Sequence, residues 1–280
     1  MASPVVLVTG GTSGIGLETA KALRDQGCRV YTMSRREKFP EADGNADPKN
    51  VGRSSASVIR HLQADVTDEA AVAAAVRTVC GEAGGIDILV NCAGFGISGA
   101  VEFTEIEDAK RQFDVNFFGM VIVNKAVIPV MREAGHGRIV NISSVAAPVP
   151  IPFQTYYSAS KAAINSYTMA TANEVRPFGI SMCAVQPGDI ATGFTDARNK
   201  SIAGDDVYGG RISKSVSVME HDERNGMKAS VAGAYIAKIT LKKHVKPLYA
   251  IGFQYKAVCV LIKLLPARLA NRIIGMIYAG

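Results

Sequence analysis

The stretch Val5-Val6-Leu7-Val8-Thr9-Gly10-Gly11-Thr12-Ser13-Gly14-Ile15-Gly16 decides the fold. Its first five residues form an apolar run rich in β-branched side chains, the pattern of a parallel strand buried on both faces. From Leu17 to Gln26 the apolar positions recur at helical spacing. Strand, glycine-rich turn and helix in that order form the phosphate-binding corner of a dinucleotide fold. The glycines let backbone approach a pyrophosphate, and free N–H groups at the helix start face its charge. A lone glycine cluster is often only a tight turn. The strand before this one and the helix after it argue against that reading.

Further strand patterns at 28–33, 59–64, 86–90, 137–142 and 247–251 alternate with helical ones. This alternation predicts an α/β protein: a single doubly wound Rossmann fold whose mostly parallel central sheet has about seven strands. Residues 1–252 would form the dinucleotide-binding and catalytic domain, with 253–280 a C-terminal helical extension packed on it. Two polar clusters, Asn91-Cys92-Ala93-Gly94 and Ser143-Ser144, follow apolar strands directly. In such sheets ligands bind outside the carboxyl ends of the strands.

Tyr157 and Lys161 lie four residues apart in Tyr156-Tyr157-Ser158-Ala159-Ser160-Lys161. On a helix that spacing puts a phenol and an ammonium on one face. A tyrosine hydroxyl ordinarily holds its proton up to a pKa of about 10. A cation within roughly 4–6 Å favours the phenolate, so the pair reads as a tuned general acid/base with a lowered tyrosine pKa.

With these motifs in order, the sequence resembles the short-chain dehydrogenase/reductase family from residue 5 to about 192. Thr9-Gly10-x-x-x-Gly14-Ile15-Gly16 is similar to the family's cofactor turn. Asn91-Cys92-Ala93-Gly94 is similar to its Asn-Asn-Ala-Gly element, with cysteine in place of the second asparagine. The resemblance implies that Asn116 holds a proton-relay water, and that Ser144, Tyr157 and Lys161 complete the catalytic set. The Ser-to-Tyr separation selects Ser144 over Ser143 and Tyr157 over Tyr156. Pro187-Gly188-Asp189-Ile190-Ala191-Thr192 resembles the motif that closes over the nicotinamide end, with Pro187, Gly188, Ile190 and Thr192 as contacts. Tyr157 would move a proton at the substrate oxygen, Ser144 would bond that oxygen, and Lys161 would also hold the nicotinamide ribose. Gly10, Thr12, Ser13, Gly14, Ile15, Gly16, Asn91, Ala93 and Gly94 would line the dinucleotide, with Asp65 and Val66 at the adenine.

The cofactor follows from Ser34-Arg35-Arg36 after the second strand. A carboxylate there would bond the adenosine 2′-hydroxyl and repel a phosphate. A hydroxyl and two guanidiniums instead suit a 2′-phosphate. NADP(H) is therefore preferred, with NAD(H) left open because Thr12 and Ser13 supply no second cation.

The chain's 280 residues, 48% hydrophobic, suffice for one large domain with a buried core. Five scattered cysteines without paired spacing read as reduced thiols of a cytoplasmic protein, and four separated histidines predict no metal site. A first strand beginning at Val5 leaves no room for a secretory signal. A net charge of +6, with no basic–aromatic runs, argues against nucleic acid.

A polar stretch at 37–57 reads as a surface loop. Residues 189–226 sit where the family carries a substrate lid, with Phe194, Val207, Tyr208, Val216, Val218 and Met219 as candidate substrate contacts. No Asp or Glu follows Glu223. In the tail, helices are predicted at 255–265 and 267–278, and Lys256, Lys263, Arg268 and Arg272 interrupt every window long enough to span a membrane. Three readings stand for it: a cover over the pocket or a subunit interface, a peripheral contact with an anionic membrane surface, or plain core packing.

The resemblance implies an NADP(H)-preferring oxidoreductase interconverting a bulky apolar secondary alcohol and its ketone, as a homodimer or homotetramer. A hydroxysteroid or bile acid is the first substrate expected, then a retinoid or an acyl-dihydroxyacetone phosphate. A silent dinucleotide-sensing protein of the same fold would dispense with the tyrosine or the lysine, and a methyltransferase needs neither.

Overall fold

The computed structural model describes residues 3–40 and 58–280, so most of the loop expected at 37–57 lies outside the described residues. Seven strands form one sheet: β1 (Val5–Thr9), β2 (Arg29–Ser34), β3 (Arg60–Gln63), β4 (Ile88–Asn91), β5 (Gly137–Ile142), β6 (Ile180–Gln186) and β7 (Leu248–Ala250). Their order is β7-β6-β5-β4-β1-β2-β3, and every pairing is parallel. β1 pairs with β2 on one side and β4 on the other, so the winding reverses beside it. That reversal opens a crevice at the carboxyl ends of β1 and β4.

Side chains alternate across the sheet and build a core on each face. Leu7, Tyr31, Met33, Leu89 and Ile139 belong to one core, with α2 (Glu69–Ala83), α4 (Gly119–Ala134) and α5 (Thr155–Val175) over it. Val6, Val8, Val30, Val90 and Val140 belong to the other, covered by α1 (Gly14–Asp25) and α8 (Ala229–Thr240). On α1 the buried residues Gly16, Thr19, Ala20 and Leu23 fall at helical spacing. Burying a leucine such as Leu23 contributes about 1.5–3 kcal/mol. A Cβ on Gly233 of α8 would lie 2.5 Å from the backbone of Glu18, so α1 and α8 touch backbone to backbone.

α3 (Ile106–Phe113), a wide π turn over Asp114–Phe118 and α4 run on as one helix, Ile106–Ala134. Among the described residues it is the one helix long and apolar enough to cross a membrane by length and composition. It packs on the sheet, and its buried face supplies Gln112, Asn116 and Asn124 to the interior. After β6 come α6 (Phe194–Ala197) and α7 (Arg211–Arg224) in the expected lid, and after β7 come α9 (Phe253–Leu264) and α10 (Ala267–Tyr278). Pro266 separates the last two, where the sequence pattern also divides them, and α9 begins two residues before the expected 255 and ends one before 265.

Candidate active site

The turn after β1 is held open by its backbone. Gly10 and Gly14 have φ of +63° and +50°, in the left-handed region that favours glycine. Helix α1 starts at Gly14 with no side-chain cap from Ser13 and no acidic residue in its first turn. Its unpaired N–H groups therefore face the crevice, which is the arrangement a pyrophosphate fits. Thr9 Oγ1 accepts from the N–H groups of Cys92 and Ala93 at 3.1 and 3.2 Å, tying the second turn beside the first.

Two cavities share this turn. The inner one, about 340 Å³, is lined by Gly10, Ser13, Gly14, Ile15, Gly16, Arg36, Ala93, Gly94, Ser144, Tyr157, Lys161, Pro187, Gly188, Ile190 and Thr192. The outer groove, about 810 Å³, is lined by Thr12, Ser34, Arg35, Arg36, Asp65 and Val66. Thr12 Oγ1 and Ser34 Oγ lie 2.9 Å apart, and Arg36 Nη1 donates to the Thr12 carbonyl at 3.4 Å. Nearly every candidate residue thus falls on one continuous cleft.

Asn91 and Asn116 do not. Asn91 Nδ2 donates to Asn124 Oδ1 and Asn141 Oδ1 at 2.8 and 2.9 Å, so its amide ties β4 to α4 and β5 behind the cavity wall. Asn116 Oδ1 accepts from Phe95 N–H and its Nδ2 donates to Phe95 C=O, each at 2.9 Å, with Ser160 Oγ at 3.3 Å. The π turn aims Asn116 at that peptide, a use of π bulges common at functional sites.

Tyr157, Ser144 and Lys161 meet at the inner end. Lys161 Nζ lies 5.6 Å from the centre of the Tyr157 ring and donates to the Ile142 carbonyl at 2.9 Å. Burial pushes the Tyr157 hydroxyl up to about 12, against a lowering hydrogen bond from Ser144. Burial also lowers Lys161 to about 8. The expected lowering of the tyrosine by its neighbouring cation is therefore corrected: desolvation of the buried phenol dominates, and the amine serves a carbonyl. The phenol holds its proton throughout the neutral range, which suits an acid donating to a ketone oxygen. A lysine is charged below its pKa, so Lys161 loses its charge as pH rises through about 8. In carbonyl reduction, kcat/KM measured for the dinucleotide should be flat through neutrality and fall above pH 8. A profile without that fall would remove the lysine's charge from the reaction.

Of the six lid side chains expected to contact substrate, Phe194 lines the cavity, its ring 5.8 Å from that of Tyr157. Val207 points outward at 72% exposure, whereas Val216 and Met219 are buried in the base of the lid. The partly buried Val218 does not reach the cavity wall. Tyr208 packs on Phe153 and donates to Glu102 at 2.7 Å. The sequence reading missed Phe95, Gln154 and Glu223 on the wall. Phe95 directly follows the Asn91–Gly94 turn and was legible there. Glu223, held by Thr195 and Arg198, comes from a distant helix and carried no local signal. The tail also reaches the site: a Cβ on Gly188 would lie 2.2 Å from the Tyr255 ring, and the Tyr255 hydroxyl donates to Asp189 Oδ2 at 2.5 Å.

Residues 4–203 match the family model described as short chain dehydrogenase. The chain is 42% identical over 246 residues to a 3-ketodihydrosphingosine reductase of Bacteroides thetaiotaomicron, covering 87% of this chain and 86% of that one. A short-chain dehydrogenase from Streptomyces avermitilis superposes with a TM-score of 0.81 at 27% identity, over 99% of this chain and 97% of the other. An ElxO variant with NADPH bound gives 0.72 at 25% identity, over 91% and 99%. On a cleft of this geometry and a match of this extent, the chain belongs to the short chain dehydrogenase family, oxidoreductases that act on CH–OH groups with a nicotinamide dinucleotide.

Proposed function

We propose that this protein is an NADP(H)-preferring reductase of a long-chain lipid ketone of the 3-ketodihydrosphingosine type. The observation that carries the reading is the junction of one cleft from Arg35 and Arg36 to Tyr157, together with the Bacteroides relative's name. When bound, the dinucleotide supplies the hydride. Tyr157, protonated at neutral pH, donates its proton to the ketone oxygen as that oxygen gains charge. Ser144 donates a hydrogen bond to the same oxygen and fixes the carbonyl's direction. With the dinucleotide bound, Lys161 would hold the ribose hydroxyls, and its charge would then favour loss of the tyrosine proton. Asn116 keeps the Phe95 peptide in place and, from behind the wall, would support a relay water through which the tyrosine is reprotonated.

The guanidiniums of Arg35 and Arg36 on the outer groove would hold the 2′-phosphate of a bound dinucleotide. A hydrogen bond to a charged group contributes about 1.5–3 kcal/mol, or about 10- to 100-fold. Arg35→Asp should shift the ratio of kcat/KM for NADPH over NADH by that factor; an unchanged ratio would mean the phosphate is held elsewhere. A hydroxysteroid or bile acid fits the same chemistry and the same apolar Phe95 and Phe194 wall. A spectrophotometric screen of NADPH with sphingoid ketones, acyl-dihydroxyacetone phosphates, retinals and ketosteroids decides between them. Turnover of steroids alone would overturn the lipid-ketone assignment. The family is commonly oligomeric, and the reading includes a homodimer or homotetramer in the cytoplasm.

A further inference from the structure

The tail closes the site on its inner side and leaves its outer side uncovered. We propose that α9 and α10 dock this protein on an anionic lipid bilayer, holding the cleft against the membrane surface. Phe253, Ala257, Val260, Leu261 and Leu264 recur at intervals that place them on one face of α9. That face is turned to solvent: Phe253 is 90% exposed and Leu264 77%. On α10, Leu269, Met276 and Ile277 repeat the pattern, with Met276 62% exposed. Exposed apolar faces on this scale mark an interaction surface.

What covers it follows from charge. The cations Lys256 and Lys263 border the α9 stripe, and Arg268 and Arg272 border that of α10, all four exposed. No carboxylate side chain lies anywhere after Glu223. A second copy set against this face by a two-fold axis would bring cations to cations, because such an interface opposes the same patch on both subunits. Anionic headgroups above an apolar layer match both features, which is how interfacial amphipathic helices bind. Each helix has 12 residues, too few to span a bilayer that requires about 20.

The inner side of the tail fixes the orientation. Tyr255 lies against Gly188 and bonds Asp189, both on the cavity wall. At the far end, Arg211 Nε and Lys214 Nζ on α7 donate to the carbonyls of Ala279 and Gly280 at 2.6 and 2.7 Å. A bilayer under α9 and α10 therefore lies one helix away from the cleft and its lid. A lipid ketone could enter without crossing water; that consequence rests on the proposed substrate class, whereas the docking does not.

The test is co-sedimentation of the full chain with phosphatidylglycerol–phosphatidylcholine vesicles, without dinucleotide or ketone. The protein should pellet with these vesicles at low salt, be released by high salt, and stay in solution with phosphatidylcholine alone. Each cation near an anionic surface is worth about fivefold in partitioning. Lys263→Glu should thus weaken binding by more than about fivefold, and Leu264→Glu by more than about tenfold. Both variants should retain NADPH affinity and turnover of a small water-soluble ketone, which shows that they fold. Failure of the wild-type chain to pellet at low salt would overturn the proposal. So would a Leu264→Glu variant that dissociates a dimer in light scattering while binding vesicles normally, since the face would then belong to a second copy. A failed substrate screen leaves both vesicle outcomes intact.

Discussion

Tyr157→Phe should lower turnover by about 10²–10⁴-fold, the range a positioned general acid contributes. Dinucleotide affinity should change by less than about threefold. The substitution removes one oxygen and leaves the ring, whose packing on Phe194 and distance to the Lys161 ammonium are unchanged. It also removes the group that burial keeps protonated at neutral pH. The ketone oxygen then has Ser144 as its donor but no acid to complete the alcohol. Steady-state turnover and a fluorescence titration with NADPH measure the two quantities separately. Equal loss in both would mean the hydroxyl holds the dinucleotide, and retained turnover would remove Tyr157 from proton transfer.

That prediction also shows where sequence stops informing. The strand of β1, the glycine turn and the face of α1 were legible because each is local and periodic. The order of polar clusters at strand ends followed from the same pattern, and the described sheet carries them as expected. The pKa of Tyr157 was not legible, because it depends on how deeply both members of the pair are buried. Nothing within five residues of Lys161 states that its amine meets the carbonyl of Ile142. The setting of the Asn91 side chain was not legible for a related reason: its partners Asn124 and Asn141 lie on two other elements. The lid failed most, since an apolar residue in a polar segment can face the cavity, as Phe194 does, or the base, as Met219 does. The tail's amphipathic pattern was visible, yet the side that faces the protein is told by contacts distant in sequence, Tyr255 on Gly188 and α7 on Ala279 and Gly280.

Gly16→Ala should weaken dinucleotide binding by more than about 100-fold and cost about 1–3 kcal/mol of stability, as overpacking a fixed site does. A Cβ at Gly16 would lie 2.4 Å from the carbonyl oxygen of Gly10 and 2.9 Å from its carbon. Both are backbone atoms of the turn, so no side chain can swing aside. Relief requires either α1 or the turn to move. α1 is anchored by Ala20 and Leu23 in the core and by its backbone contact with Gly233 on α8. The turn therefore moves, carrying Gly10 away from the helix start and spreading the N–H groups that converge on the pyrophosphate. Gly81→Ala is the matched comparison, because a Cβ there meets nothing within 4 Å. Within α2 that same exchange should stabilise by about 0.5–1 kcal/mol through the lost freedom of the unfolded chain, and leave binding unchanged. Urea midpoints and NADPH titrations of the two variants separate a steric effect at the turn from a general effect of replacing helical glycine. Equal behaviour of the pair would contradict the close approach on which the phosphate corner depends.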